Sequence, residues 1–238
     1  MKLRLSVCLA SLLLPLPALA AEPQPFALEY LASYGSLNGA ASRSLGQDAG
    51  QWLLQSKVEI KLLGATITSI EEQSRFAWQD GLPKSISYRF EQKGAGKRQR
   101  SLTFNADGTR AAFKVNSEQG ELQVPLPGFD TLNSQLAIRH QLEEGSEEIS
   151  LNVADKGEVN VQHYKVVGTE SVKTPAGDFD AIHLHRVREG DSKRQTDLWL
   201  APALDHAMVK LVQLEPDGDT IRLEVKKGKV GNRVLGNP

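Results

Sequence analysis

The sequence predicts a mainly β protein: a single antiparallel, strongly curved sheet or barrel-like wrap, with one helix near residues 130–144. Three observations carry that expectation. Apolar and polar residues alternate with period two through most of the chain, as half-buried strands require. Turn signals such as Asp80-Gly81 and Asp107-Gly108 recur between the alternating runs. Helical periodicity shows in one stretch, which excludes the alternating strands and helices of a parallel α/β fold. A sheet of so many strands must curl or fold on itself, and curling creates a concave face where a ligand could sit.

The first twenty residues stand outside this fold. Lys2 and Arg4 form a positive n-region, Leu5 to Leu16 an apolar run, and Ala18-Leu19-Ala20 an A-x-A cleavage site. The expected cut lies between Ala20 and Ala21, so 1–20 is a signal peptide and the mature chain is periplasmic. Pro15, Pro17 and the shortness of the run argue against an anchor helix, which needs about 20 apolar residues. No later segment could span a bilayer. Cys8, the single cysteine, lies within the signal rather than after it, so the mature chain is not expected to be a lipoprotein. It has no disulfide, thiol nucleophile or cysteine metal ligand to use. The mature chain carries 26 basic and 29 acidic residues, a net charge of −3, which gives no nucleic-acid footprint.

From Phe26 to Tyr34 the apolar residues alternate, predicting a first strand, and Gly35, Asn38 and Gly39 predict a turn. Trp52 to Leu62 alternates around Trp52, Leu54, Val58 and Ile60; after Gly64, Thr66 to Trp78 continues in the same way. Lys84 to Gln92 and Arg98 to Asn105 form a hairpin over the tip Lys93-Gly94-Ala95-Gly96-Lys97. Ala111 to Asn116 then pairs with Glu121 to Val124 across Glu118-Gln119-Gly120. The helix follows: Asp130 is a candidate N-cap, Leu132, Leu136 and Leu142 share a stripe, Arg139 and His140 sit near its C-terminus, and Gly145 ends it. Strands resume over Glu148 to Val153, Gly157 to Gly168 and Glu170 to Lys173.

The densest apolar segment comes last. Thr174-Pro175-Ala176-Gly177 forms a β-turn, with Pro presetting φ and Gly free to take a left-handed conformation. Phe179 to Val187, Gln195 to Ala201 and Met208 to Leu214 are strands, and Pro202 stops the second because it has no N–H for a ladder. Thr220 to Lys226 is the final strand. The expected organisation is a signal at 1–20, one β-rich domain at 21–226 and a flexible basic tail at 227–238; a two-lobed alternative would divide near Pro127.

Tyr164-Lys165-Val166-Val167-Gly168-Thr169-Glu170, then Thr174 to Ala181, then Leu198-Trp199-Leu200-Ala201-Pro202 resemble the exported bacterial proteins of domain-of-unknown-function family 3108. The resemblance covers about Phe26 to Val225, and Thr174, Pro175, Gly177, Phe179, Trp199 and Pro202 form its structural signature here. It implies a cell-envelope location and a mostly β fold, and no mechanism. Wrapped sheets holding a helix also occur in periplasmic lipoprotein carriers, a likeness of fold alone.

Catalytic signals are sparse. His183 and His185, two apart on a strand, project to one face and could reach one metal, with His163 or Asp180 as a third ligand. The competing assignment makes them polar strand positions, with Ile182 and Leu184 facing the core. No G-x-S-x-G or H-E-x-x-H motif is present. Glu71-Glu72, Glu143-Glu144 and Glu147-Glu148 are solvated charges rather than glycosidase pairs, since adjacent strand residues face opposite ways. Lys93, Lys97, Arg98 and Arg100, with Lys226, Lys227 and Lys229, could together touch an anionic membrane surface. The sequence therefore points to a non-enzymatic protein, without catalytic residues, metal or cofactor, binding an apolar or amphiphilic envelope ligand in a curved sheet. The alternatives are an envelope scaffold or adaptor for protein partners, and a histidine-dependent metal hydrolase.

Overall fold

A computed structural model of the chain describes residues 22–188 and 190–236. The signal segment, Cys8 and the Ala20–Ala21 cut lie outside the described residues. The first half consists of β1 (Phe26–Tyr34), β2 (Leu37–Asp48), β3 (Gln51–Leu62), β4 (Ala65–Gln79), β5 (Leu82–Gly94), β6 (Arg98–Phe104), β7 (Arg110–Val115) and β8 (Glu118–Gln123). Each pairs antiparallel with the next, a continuous meander. Then come β9 (Gly128–Asp130), helix α1 (Ser134–Glu143), β10 (Glu148–Asp155), β11 (Glu158–Thr174), β12 (Gly177–Val187) and β13 (Gln195–Ala201). A 3-10 turn at Pro202–Leu204 leads into β14 (Ala207–Leu214), β15 (Thr220–Val230) and β16 (Arg233–Leu235).

All sixteen strands belong to one sheet. Its order runs from β8 back to β1, crosses to β15, and descends to β9, with β16 added beside β15. The first and last long strands therefore meet in the middle, Phe26 opposite Val230 and Tyr34 opposite Ile221. Among the described residues no ladder joins the two ends of this order, yet groups close to them meet. Arg100 of β6 pairs with Asp155 of β10 at 2.5 Å. A Cβ built on Gly157, in the β10–β11 turn, would lie 2.9 Å from the Phe113 ring of β7. Gly157 has φ +82, so the site excludes larger residues on backbone grounds as well.

Helix α1 lies between the two halves, packed on β5 and β10. Leu132 and Leu136 join an apolar cluster with Trp52, Phe76, Tyr88 and Phe104. Ala137 and Ile138 join the other, with Leu28, Leu184, Leu198 and Val225. Burial of this helix stitches the meanders together, since short helices draw their stability from packing.

Several local expectations need correction. β2 is absent from the sequence reading because, of its buried residues Ala41, Arg43 and Leu45, the first is too small and the second charged, which leaves Leu45 alone to mark a buried face. Ladders to β1 and β3 on both sides hold it, so neighbours override propensity. The β7–β8 turn falls at Asn116, with φ 53, and Ser117, ahead of the expected Glu118-Gln119-Gly120. β11 is one long strand with a bulge between Val166 and Gly168 rather than two pieces. The helix starts four residues later than Asp130, because residues 128–130 pair as β9 with β10. That pairing is parallel, so the sheet is antiparallel everywhere except there. Residues 227–230 continue β15, and Arg233–Leu235 return as β16, where a flexible basic tail was expected. Val230 and Leu235 are buried and anchor them, while Lys227 lies 3.7 Å from Glu29. Among the described residues no helix is long and apolar enough to cross a membrane.

Candidate functional site

Polar side chains gather in three places, the first around the histidines. His183 lies opposite Trp199, and Trp199 opposite Lys210, in a row on the face away from Leu184 and Leu198. His183 Nε2 and His185 Nδ1 both meet Asp197 Oδ1 at 2.9 Å, and His183 Nδ1 lies 3.5 Å from Glu170. The His183 ring stacks on Trp199 with centroids 4.4 Å apart, and Lys210 Nζ covers the same indole at 4.8 Å. The indole N–H donates to Glu170. The two imidazoles thus share a carboxylate, and His183 roofs a tryptophan. His163 meets Ser150 instead, and Asp180, three residues from His183, falls on the opposite parity. Among the described residues no three His, Asp or Glu side chains are grouped to hold a metal.

The remaining signature residues shape one turn and its neighbours. Thr174 Oγ1 accepts from the Ala176 N–H and donates to the Gly177 carbonyl, and Pro175 lies between them. Gly177 has φ 130 and Phe179 is buried beneath the turn. Pro202 opens the 3-10 turn that ends β13.

The inner face of the first half carries a second arrangement, which the sequence reading missed. Direct cross-strand partners place Leu28, Arg43, Ser56, Glu72, Phe90 and Arg100 in one row across β1 to β6. Tyr88 donates its hydroxyl to Glu72 at 2.6 Å. Burial pushes the Glu72 carboxyl up and raises the Tyr88 phenol far above its ordinary value. Arg100 lies 3.9 Å over the Phe90 ring while its Nη1 binds Asp155. An otherwise apolar face is therefore crossed by charges. The available signal was an arginine at an inward parity in a run of small residues.

One end of that row opens into a cleft lined by Phe26, Leu45, Leu54, Leu136, Leu200 and Met208, with Arg43, Arg139 and His206. Arg139 Nη2 binds Asp205 at 2.9 Å, and its Nε meets Glu143 at 3.1 Å. Asp205 also accepts the Gln24 N–H at 2.7 Å. Asp205 and His206 are consecutive left-handed residues, φ 54 and 56, a strained pair held by these contacts. Burial lowers the His206 pKa, with Glu143 opposing.

The third arrangement fixes α1. Asp130 is fully buried; its carboxyl accepts the N–H groups of Leu132 and Asn133 at 2.9 Å and the Ser74 hydroxyl at 2.6 Å. Asn133 accepts the Asp130 N–H and donates to Ser85. Desolvation outweighs these donors and raises Asp130 from 3.8 to about 7. These bonds tie β4, β5 and β9 to the residues that enter α1, so the group acts as a structural clamp.

Fold and site together define a large, single-sheet β protein with an amphiphilic inner face. Its chain belongs to the family described as "Protein of unknown function (DUF3108)", which matches residues 29–226. A solved structure, the beta-barrel-like protein of domain of unknown function DUF1849 from Brucella abortus, is similar with a TM-score of 0.59 at 9% identity. The match covers 88% of this chain and 99% of that one, and shows likeness of fold alone. No curated protein matches the chain.

Proposed function

We propose that this is an exported, periplasmic, non-enzymatic protein that binds an amphiphilic cell-envelope component on the inner face of a strongly curved wrap. The observation that carries the reading is the composition of that face: Arg43, Glu72 and Arg100 set in one row with Leu28 and Phe90, and Tyr88 beside it bonded to Glu72. Burying a charge without an acid or base opposite it, as at Arg43, costs a structural core free energy, whereas an amphiphile needs both kinds of surface. Contact between the sheet's two ends supports the curvature. The test is native mass spectrometry of protein purified from periplasm, followed by organic extraction and metal analysis. The expected result is a mass beginning at Ala21 with a co-purifying amphiphile. An empty protein would overturn the carrier reading in favour of an envelope adaptor, and stoichiometric metal would restore the hydrolase.

A second reading, peripheral contact with an anionic membrane, has one specific observation in its favour. Leu63, at the β3–β4 tip, is 100% exposed and left-handed at φ 50. Lys61 precedes it, and Asn38 opposite Lys61 and Gly94 opposite Thr68 place the Lys93–Lys97 tip at the same end. Lys227 and Lys229 pair with Glu29 and Ala27, toward the opposite end of β1, so the two basic clusters do not combine. Binding to phosphatidylglycerol vesicles but not phosphatidylcholine vesicles, lost on Leu63→Asn, is the expected outcome. Equal binding by both proteins would remove the tip from the account.

A further inference from the structure

Arg43 is 7% exposed. Its Nη1 donates to Gln135 Oε1 and lies 3.9 Å from the Met208 sulfur, both neutral partners. Its Nε is buried and, among the described residues, neither Nε nor Nη2 has a hydrogen-bond partner, so the side edge of the guanidinium is free of protein groups there. Among the described residues no carboxylate stands at ion-pair distance from it. Two neighbouring interior arginines differ: Arg100 has Asp155, and Arg139 has Asp205 and Glu143. The acids around Arg43 are engaged elsewhere. Glu72 holds the Tyr88 hydroxyl, and Asp205 holds Arg139 and the Gln24 N–H. Tyr30, also close, donates to the Met208 carbonyl, and burial pushes its phenol up to about 12, so it supplies no anion. A planar guanidinium edge with two free donors is the shape that a carboxylate fits bidentately.

The cleft beside it holds a cavity of about 30 Å³. That is room for a water or two, or for the two oxygens of a carboxylate. It does not suit a four-oxygen phosphate head. The remaining walls are Phe26, Leu45, Leu54, Leu136, Leu200 and Met208, so whatever follows the head meets alkyl and aromatic surface. Pro23 and Gln24 line the same cleft as Asp205 and His206, and the Gln24 N–H binds Asp205.

We propose that the Arg43 cleft is a binding site for the carboxylate head of an alkyl amphiphile, a fatty-acid-like anion. This rests on the amphiphile reading above and names its ligand class. The head displaces cleft water to take the Nε–Nη2 edge, and the chain leaves along the apolar wall.

The test compares dodecanoate, dodecanol and acetate by titration calorimetry and thermal melting on delipidated mature protein, below micellar concentrations. Dodecanoate is expected to bind at least about tenfold more tightly than dodecanol, the effect of one charge-assisted hydrogen bond. Acetate should be far weaker, since each buried methylene contributes about fourfold. Arg43→Met should erase the preference for dodecanoate while its melting temperature holds or rises, because an unpaired buried cation is gone. Arg43→Lys, which keeps charge and loses the fork, should be intermediate. Arg43→Met melting lower with dodecanoate affinity unchanged would make Arg43 structural and overturn the proposal. Equal binding of dodecanoate and dodecanol would overturn the head-group assignment yet leave the amphiphile reading standing. Binding of none of the three would overturn both, and acetate matching dodecanoate would assign the cleft to free small carboxylates instead.

Discussion

Replacing Asp130 by asparagine tests the balance of forces inside the clamp that fixes α1. Asp130 is fully buried and its carboxyl sits at about 7 against 3.8 when exposed. Between those values the folded chain keeps a proton that the unfolded chain releases, so stability falls as pH rises through that window. Below the lower value both states are protonated and the group contributes nothing; above the upper one the full cost is present. A shift of that size corresponds to about 4 kcal/mol at 1.36 kcal/mol per unit. The carboxamide of the Asp130→Asn variant would be neutral throughout. Its oxygen can still accept from Leu132 and Asn133, and its amide can donate to the Ser74 hydroxyl, which accepts as readily as it donates. Urea unfolding of both proteins at about pH 4, 6 and 8 measures the effect. The variant should be equal or slightly weaker at the acid end and about 3–5 kcal/mol more stable at the alkaline end. Subtracting one profile from the other cancels His206, whereas Glu72, whose charge helps to raise Asp130, belongs to the measured difference. A difference independent of pH, or one of opposite slope, would refute the reasoning. It would mean that the three donors to Asp130 outweigh desolvation and that the clamp prefers a carboxylate.

Trp199→Ala should destabilise by about 3–5 kcal/mol, as buried aromatic truncations do, because it removes the ring that His183 stacks on and Lys210 covers. An unchanged urea midpoint would show that the indole merely decorates the outer face. Leu63→Asn should stabilise by about 1 kcal/mol, since asparagine tolerates the left-handed conformation that leucine resists; a lower melting temperature would contradict this. Gly157→Ala should cost at least about 1 kcal/mol from its positive φ alone, and more if Phe113 cannot move from a position 2.9 Å away. A silent substitution, read by thermal melting, would mean that the contact between the sheet's ends is loose.

Much of the fold is legible because strand alternation is a local property. Gln195 to Ala201 reads as a strand from its residues and is β13 in the structure, and Phe26 to Tyr34 is β1. The turn chemistry of Thr174 to Gly177 is equally local, a proline and a glycine where the backbone demands them. The histidine pairing was half visible. Period two places His183 and His185 on one face, but that Asp197 waits across the ladder is a matter of register.

From the order of residues alone follow a mainly β chain, its one helix and its membership in the DUF3108 family. Packing in three dimensions set the rest. It made a strand of Leu37–Asp48, whose own residues argue weakly for one, by giving it ladders on both sides. It drew residues 227–230 into the centre of the sheet, because β1 needed a partner for its whole length. It also settled the charges. A sequence shows that Arg43, Arg100 and Arg139 are cations; only the packing of distant strands and one helix shows which two have acids opposite them and which does not. The reason is that burial and pairing are properties of three-dimensional neighbours, whereas alternation and turn chemistry are properties of neighbours along the chain.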